Sequence, residues 1–291
     1  MKISSLLNKD KKTLSFEVFP PKTDSAFESV ARAVEEIADL APAYVSVTYG
    51  AGGGTSRYTL DIARSIREKK GVPSLAHLTC VSATKESVAR RIRDLQDAGI
   101  ENVMALRGDL TPELACQDRS KWDYRYAVEL VRDLRASGAD FCIGAACYPE
   151  VHPESVNSRE DIRHLKEKVD AGVDFLTTQM FFDNGLYYSF LYRLREAGIK
   201  VPVVPGIMPI TTVRQVERAT KLTGAFLPYR FRSLVDAFGD RDEAMEAAGV
   251  SYAASQIIDL YANGISHVHV YTMNKPAVAR AILTQLKGIL G

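Results

Sequence analysis

The chain has 291 residues, 46% of them apolar and 25% charged, with a formal net charge of +1 at pH 7. That length allows one large α/β barrel or two ordinary domains, and the near-neutral charge offers no electrostatic basis for binding nucleic acid or an anionic membrane. The N-terminal stretch MKISSLLNKDKK turns charged before any apolar run reaches the length of a signal peptide or a membrane span, so a soluble cytoplasmic protein of small-molecule chemistry is expected.

Taken in order, the sequence repeats one unit: a short apolar run rich in Val, Ile and Phe, a polar loop, then an amphipathic stretch with helical spacing. Strands are expected near 14–19, 44–49, 74–80, 102–107, 141–146, 174–179, 201–206 and 267–271, with helices near 25–40, 56–70, 84–98, 124–136, 159–171, 186–197, 212–222 and 276–286. Several helices end in the same way, at Gly99-Ile100, Gly172-Val173, Gly198-Ile199 and Gly264-Ile265. Glycine past a helix followed by a β-branched residue is the chemistry of a short αβ loop. Strands apolar on both faces that alternate with helices imply a parallel sheet, and eight such units fit a closed (β/α)8 TIM barrel in a single domain over 1–291. An open doubly wound sheet is the rival. Only 229–261 falls outside the repeat, as two extra helices inserted before the last strand.

In such a barrel the active site forms where strands enter the following loops. Those positions hold Glu17, Thr48 and Tyr49, His77, Arg107 and Asp109, Tyr148, Gln179, Pro205 and Gly206, and Thr272. Glu17 stands out, because FEVFPPK at 16–22 sets one carboxylate in an apolar strand that the proline pair then ends. A carboxylate buried there needs a partner or a proton, which makes Glu17 a candidate proton carrier; a solvent-facing or ion-paired strand glutamate is the other reading.

Three further features carry two readings each. The glycine cluster at 50–54 could bring backbone N–H groups to a phosphate or a flat ring, or be a plain strand-to-helix turn. Arg107-Gly108-Asp109 could address a charged ligand or close the barrel rim as an Arg–Asp pair. His77 and His152 could be ligand contacts or satisfied barrel histidines. His267 and His269 share one face of the last strand, a pattern that holds metal in some barrel hydrolases, but no second ligand cluster completes such a site and packing is favoured. No metal site is expected. Cys80, Cys116, Cys142 and Cys147 contain no CxxC pair, and most sit in apolar runs as small, reduced hydrophobes.

In order along the chain stand FEVFPPK, VTYGAGG at 47–53, AHLTC at 76–80, ALRGD at 105–109, YPEVHPE at 148–154, KVDAG at 168–172, TQMFFD at 178–183 and PGIMPI at 205–210. Together they resemble bacterial methylenetetrahydrofolate reductase, a flavoprotein of one-carbon metabolism, over nearly the whole chain. The resemblance implies a (β/α)8 barrel that binds FAD. It also implies reduction of 5,10-methylenetetrahydrofolate to 5-methyltetrahydrofolate by hydride from the flavin, which NADH or NADPH reduces in ping-pong fashion.

By the same resemblance Glu17 is the general acid, Asp109 stabilises the iminium cation beside flavin and pterin, and Gln179 binds folate and then the nicotinamide. It implies flavin contacts from Thr48, Tyr49, Ala51, His77, Arg107, Gly108, Asp109, Ala127, Tyr148, His152, Asp161, His164 and Lys168, and folate contacts from Asp109, Gln179, Gln215 and Lys275. The chain departs from the family pattern at His164 and Glu167 beside the FAD phosphates, at Lys275 in place of Arg, and at Ala219 in place of an aromatic ring. Glu167 would repel the phosphates unless it turns outward. A homo-oligomer and a possible electron-transfer partner protein are expected. The alternatives are another barrel flavoenzyme such as a proline dehydrogenase, and a flavin- or folate-binding subunit of a larger electron-transfer complex.

Overall fold

The computed structural model describes residues 1–7, 11–21, 23–49 and 56–290. After a short helix α1 (Ile3–Leu7), parallel strands β1 (Thr13–Val18), β2 (Val45–Val47), β3 (Ser74–Thr79), β4 (Asn102–Leu106), β5 (Cys142–Cys147) and β6 (Phe175–Thr178) lie side by side in chain order. The seventh position, expected as one run over 201–206, is instead two pieces, β7 (Val203–Val204) and β8 (Gly206–Ile207). Pro205 separates them, and a residue with no N–H cannot carry a ladder through. β7 pairs with β6, β8 pairs with the last strand β9 (His267–Tyr271), and β9 pairs with β1, so the chain closes the ring across the break. The Pro205 carbonyl takes part in that closure, accepting the His269 N–H at 2.9 Å. The barrel is thus the expected one, with one strand divided.

Around it run α2 (Phe27–Ala38), α3 (Ser56–Lys70), α4 (Lys85–Asp97), α5 (Pro112–Ala115), α6 (Ala127–Ala136), α7 (Ser158–Asp170), α8 (Asn184–Glu196), α9 (Val213–Thr223), α10 (Tyr229–Phe238), α11 (Asp242–Ala262) and α12 (Pro276–Leu290). Their starts are set by local chemistry: the Thr84, Asn157 and Asp183 side chains accept backbone N–H groups at the first turns of α4, α7 and α8. The glycines expected after helices do adopt positive φ, +66° at Gly99, +116° at Gly172, +77° at Gly198 and +83° at Gly264. Among the described residues no helix is long and apolar enough to cross a membrane.

The strands bury both faces but with different chemistry. Outward-facing Leu14, Phe16, Val18, Val45, Val47, Val268 and Val270 join the helices in the main core. Inside the ring, Leu75, Met104, Cys142, Phe175 and Val204 fill the lumen, and Ile3 and Leu7 of α1 seal that end. A second interior layer, toward the strand C-termini, is polar and still buried: Ser15, Glu17, Ser46, His77 and His269. The insertion caps the barrel's own loops. Phe231 of α10 stacks on Phe182 at 4.7 Å, and Gly249 lets α11 press directly on the Ile210 carbonyl, where a Cβ would collide.

Candidate active site

Period-two alternation puts Ser15 and Glu17 of β1 on the lumenal face, opposite Ser46 of β2 and beside His269 and Tyr271 of β9. Glu17 is 8% exposed, and its Oε2 lies 3.7 Å from His77 Nε2 and 3.8 Å from His269 Nε2. Each imidazole is anchored by a serine: Ser46 Oγ is 2.6 Å from His77 Nε2, and Ser15 Oγ is 2.7 Å from His269 Nδ1. Burial pushes His77 down to about 4, with Glu17 opposing and His269 adding to the fall. His77 is therefore neutral at pH 7 and brings no cation to the carboxyl. Tyr271 closes the layer, donating its hydroxyl to the Thr178 carbonyl at 2.6 Å across the lumen, and position 206 needs glycine because a Cβ would meet that hydroxyl at 2.5 Å.

His267 and His269 do not act as a pair. His267 turns to Thr13 Oγ1 (2.8 Å) and the Leu7 carbonyl (3.1 Å) near the sealed end, while His269 faces Glu17. Packing describes both, since His269 is buried and stacked on Tyr44 at 5.7 Å, but it leaves out the Glu17 contact of the second. The alternation that aligns His269 with Ser15 and Glu17 was the available signal.

The ends of β4 and β5 form a charged wall. The rim pair open in the sequence, Arg107 with Asp109, gives way to a different one: Arg107 grips Glu154 with both terminal nitrogens, at 2.6 and 2.9 Å, and Asp109 is exposed. Arg119, from a short 3-10 turn in the β4–α6 connection, adds a third contact to Glu154 at 3.1 Å. The two guanidiniums hold the Glu154 carboxyl down at about 2, chiefly through the Arg107 hydrogen bonds. Gly108, next to Arg107, has φ +95° and accepts the Arg107 Nε–H at 3.2 Å. His152 packs edge-on to Tyr148 at 4.6 Å and donates its backbone N–H to Asp161 at 3.3 Å. Burial lowers its pKa, helped by Arg107. Lys168 is directed inward, donating to the Ala146 carbonyl at 2.6 Å, and desolvation lowers its pKa as well.

On α7, His164 stacks with Tyr126 at 6.0 Å, one residue before Ala127 at the start of α6. Glu167 is exposed and tied to Arg163 at 2.7 Å.

Gln215 and Lys275, 60 positions apart in sequence, meet through Thr211. Gln215 Oε1 accepts the Thr211 N–H at 2.7 Å, and Lys275 Nζ donates to Thr211 Oγ1 at 2.8 Å. Gln179 lines a recess with Tyr148, Glu150 and Met180, floored by Thr223 and Ala225. Thr48 follows β2, its carbonyl accepting the Thr59 hydroxyl at 2.9 Å, and Arg91 lies 5.3 Å over the Tyr49 ring. Ala51 and the glycine cluster at 50–54 lie outside the described residues.

FAD can be tested against this donor set. The guanidiniums of Arg107 at the end of β4 and of Arg119 in the β4–α6 connection suit a diphosphate, and the Tyr148–His152 and Tyr126–His164 rings suit flat groups. The residues present fit.

Residues 2–287 match the family described as methylenetetrahydrofolate reductase. The 5,10-methylenetetrahydrofolate reductase of Pectobacterium carotovorum subsp. carotovorum is 36% identical over 269 residues, 92% of this chain and 88% of that protein. Methylenetetrahydrofolate reductase (NADH) 1 of Arabidopsis thaliana is 32% identical over 295 residues, 98% of this chain and 50% of the plant protein. Among solved structures, an uncharacterized Clostridium thermocellum protein that binds two copies of 5-methyl-5,6,7,8-tetrahydrofolic acid has a TM-score of 0.68 at 14% identity, covering 100% of this chain and 99% of that one, a likeness of fold.

Proposed function

The chain belongs to the methylenetetrahydrofolate reductase family and is an oxidoreductase of folate one-carbon chemistry, and we propose that it reduces 5,10-methylenetetrahydrofolate to 5-methyltetrahydrofolate with Glu17 as the proton donor. The observation that carries this reading is the Glu17 carboxyl, buried in the polar layer of the lumen between two serine-anchored imidazoles. Opening the imidazolidine ring breaks the bond between the methylene carbon and N10. Glu17 delivers a proton to the departing N10, leaving a 5-iminium cation whose carbon accepts hydride to become the methyl group.

The chemistry FAD supplies when bound is two-electron hydride transfer, taken from NADH or NADPH and passed to that carbon. Arg107, Gly108, His152, Asp161 and Lys168, with Thr48, Tyr49, Ala51, His77, Ala127, Tyr148 and His164, are the residues we assign to holding it. Asp109 stabilises the iminium charge from the exposed rim. Gln179 orients the pterin and then the nicotinamide, and the linked Gln215, Thr211 and Lys275 group binds the rest of the folate. Both substrates use the same mouth by turns, which makes the kinetics ping-pong. A homo-oligomer fits the reading.

Anaerobic stopped-flow on the protein with its flavin chemically reduced tests it. Rapid flavin reoxidation by 5,10-methylenetetrahydrofolate in wild type, slowed by about 100-fold or more in Glu17→Gln with folate binding retained, is the expected result. Wild type that stays reduced would overturn the reading.

A further inference from the structure

Two arginines converge on one carboxylate at the end of the barrel where the cofactor is proposed to lie. Arg107 leaves the end of β4, Arg119 comes from the 3-10 turn Arg119–Lys121, and Glu154 lies in the β5–α7 loop. Arg107 meets Glu154 at 2.6 and 2.9 Å and Arg119 meets it at 3.1 Å, so the triad carries one positive charge beyond what Glu154 neutralises. Of the neighbouring anions, Asp161 accepts the His152 N–H and the Ser155 hydroxyl, and Asp109 acts on Arg107 through space without a hydrogen bond. On α7, Lys168 Nζ is committed to the Ala146 carbonyl at 2.6 Å. Arg163 is spent on Glu167 at 2.7 Å and Glu160 at 3.8 Å, and His164 lies between the same two acids.

A carboxylate held in a guanidinium fork has the geometry and charge that a phosphate presents. The side chains of Arg119 and Glu154 are each 41% exposed, so an incoming anion can reach the fork. We propose that Arg119 is a diphosphate-binding residue of this protein, which grips the phosphate oxygens of a bound flavin dinucleotide together with Arg107 and supplies the charge that Glu167 does not. Nothing in the sequence motifs marks Arg119. Its loop folds it back onto Glu154, and only that contact places it at the site.

The inference rests on the FAD reading above, and its test separates the two. Flavin-free wild type, Arg119→Gln and Arg119→Lys are titrated with FAD and with riboflavin, which lacks phosphates, while flavin fluorescence is followed at low and high salt. Arg119→Gln raises the dissociation constant for FAD about tenfold, the loss of one charge-assisted contact, and flattens its salt dependence. Arg119→Lys recovers part of the loss, and riboflavin binding is unchanged. An FAD constant within about twofold of wild type in Arg119→Gln, or equal weakening of FAD and riboflavin, overturns the assignment of Arg119 and leaves the FAD reading standing. Wild type that binds neither flavin overturns both.

Discussion

His269 presents Nε2 to the Glu17 carboxyl at 3.8 Å while its Nδ1 meets Ser15 Oγ at 2.7 Å. Ser15 has one proton, and its hydroxyl also reaches the Val268 carbonyl at 3.3 Å. With that proton on the carbonyl, Ser15 accepts from Nδ1–H and the Nε2 lone pair faces Glu17; with it on Nδ1, the shorter contact, Nε2–H faces Glu17. A lone pair is a partner for a carboxylic acid and a poor one for a carboxylate. The placement of the Ser15 proton thus sets which form of the Glu17 carboxyl the imidazole can partner.

Replacing His269 by Asn is expected to slow reoxidation of the reduced enzyme by 5,10-methylenetetrahydrofolate about tenfold, with the half-reaction with nicotinamide little changed. The pH profile of the folate half-reaction should move with it, which loosened packing alone would not produce. Equal losses in both half-reactions would show that His269 only fills space.

His77 makes stability sensitive to acid. Its pKa falls from an ordinary 6.5 to about 4 in the folded chain, so between those values the unfolded chain binds the proton first. The contribution is therefore fully present above about pH 6.5 and is lost as pH falls toward 4, amounting to at most about 3 kcal/mol. In His77→Gln the drop in urea midpoint between pH 7.5 and pH 5 should shrink. An unchanged drop would place the acid sensitivity elsewhere, with His152 next in line because burial lowers it too.

Lys275 and Gln215 reach each other through Thr211, so a change at one end should be felt as loss of folate binding. Lys275→Met is expected to raise KM for the folate about tenfold with kcat within about twofold, the pattern of uniform binding lost. A fall in kcat at unchanged KM would move Lys275 from binding to the chemical step.

Gly249 is the contact by which the insertion holds the loop leading into α9. A methyl group there collides with the Ile210 backbone carbonyl, which cannot swing aside as a side-chain end would. Gly249→Ala should cost roughly 1–3 kcal/mol in chemical denaturation. It should also weaken folate binding, because the loop carrying Thr211, which is bonded to Gln215 in the first turn of α9, shifts. Wild-type stability would mean that α11 slides freely over the loop.

Much of the barrel was legible in the chain. Alternation of apolar runs with amphipathic stretches, punctuated by glycine at positive φ, is a local pattern, and local patterns survive without knowledge of the partner strand. Glu17 was legible for the same reason, as a carboxylate in an apolar strand closed by two prolines. The division of the seventh strand was less so. Pro205 removes one donor, but which neighbour each half then joins is settled by closure of the ring.

What the residues along the chain determined by themselves is the repeat, the placement of strand ends on one side of the barrel, and the identity of the charged and aromatic groups found there. Tertiary structure alone decided which of those groups meet. Arg107 takes Glu154 in place of Asp109, His269 parts from His267 to face Glu17, Lys275 and Gln215 join through Thr211, and Arg119 returns from a long loop. Hydrogen bonds and ion pairs act over a few ångströms, whereas Arg119 and Glu154 are 35 residues apart in the chain, Arg107 and Glu154 47, and Thr211 and Lys275 64. No sequence period encodes such pairings; they exist only once parallel strands have brought distant loops to a common rim.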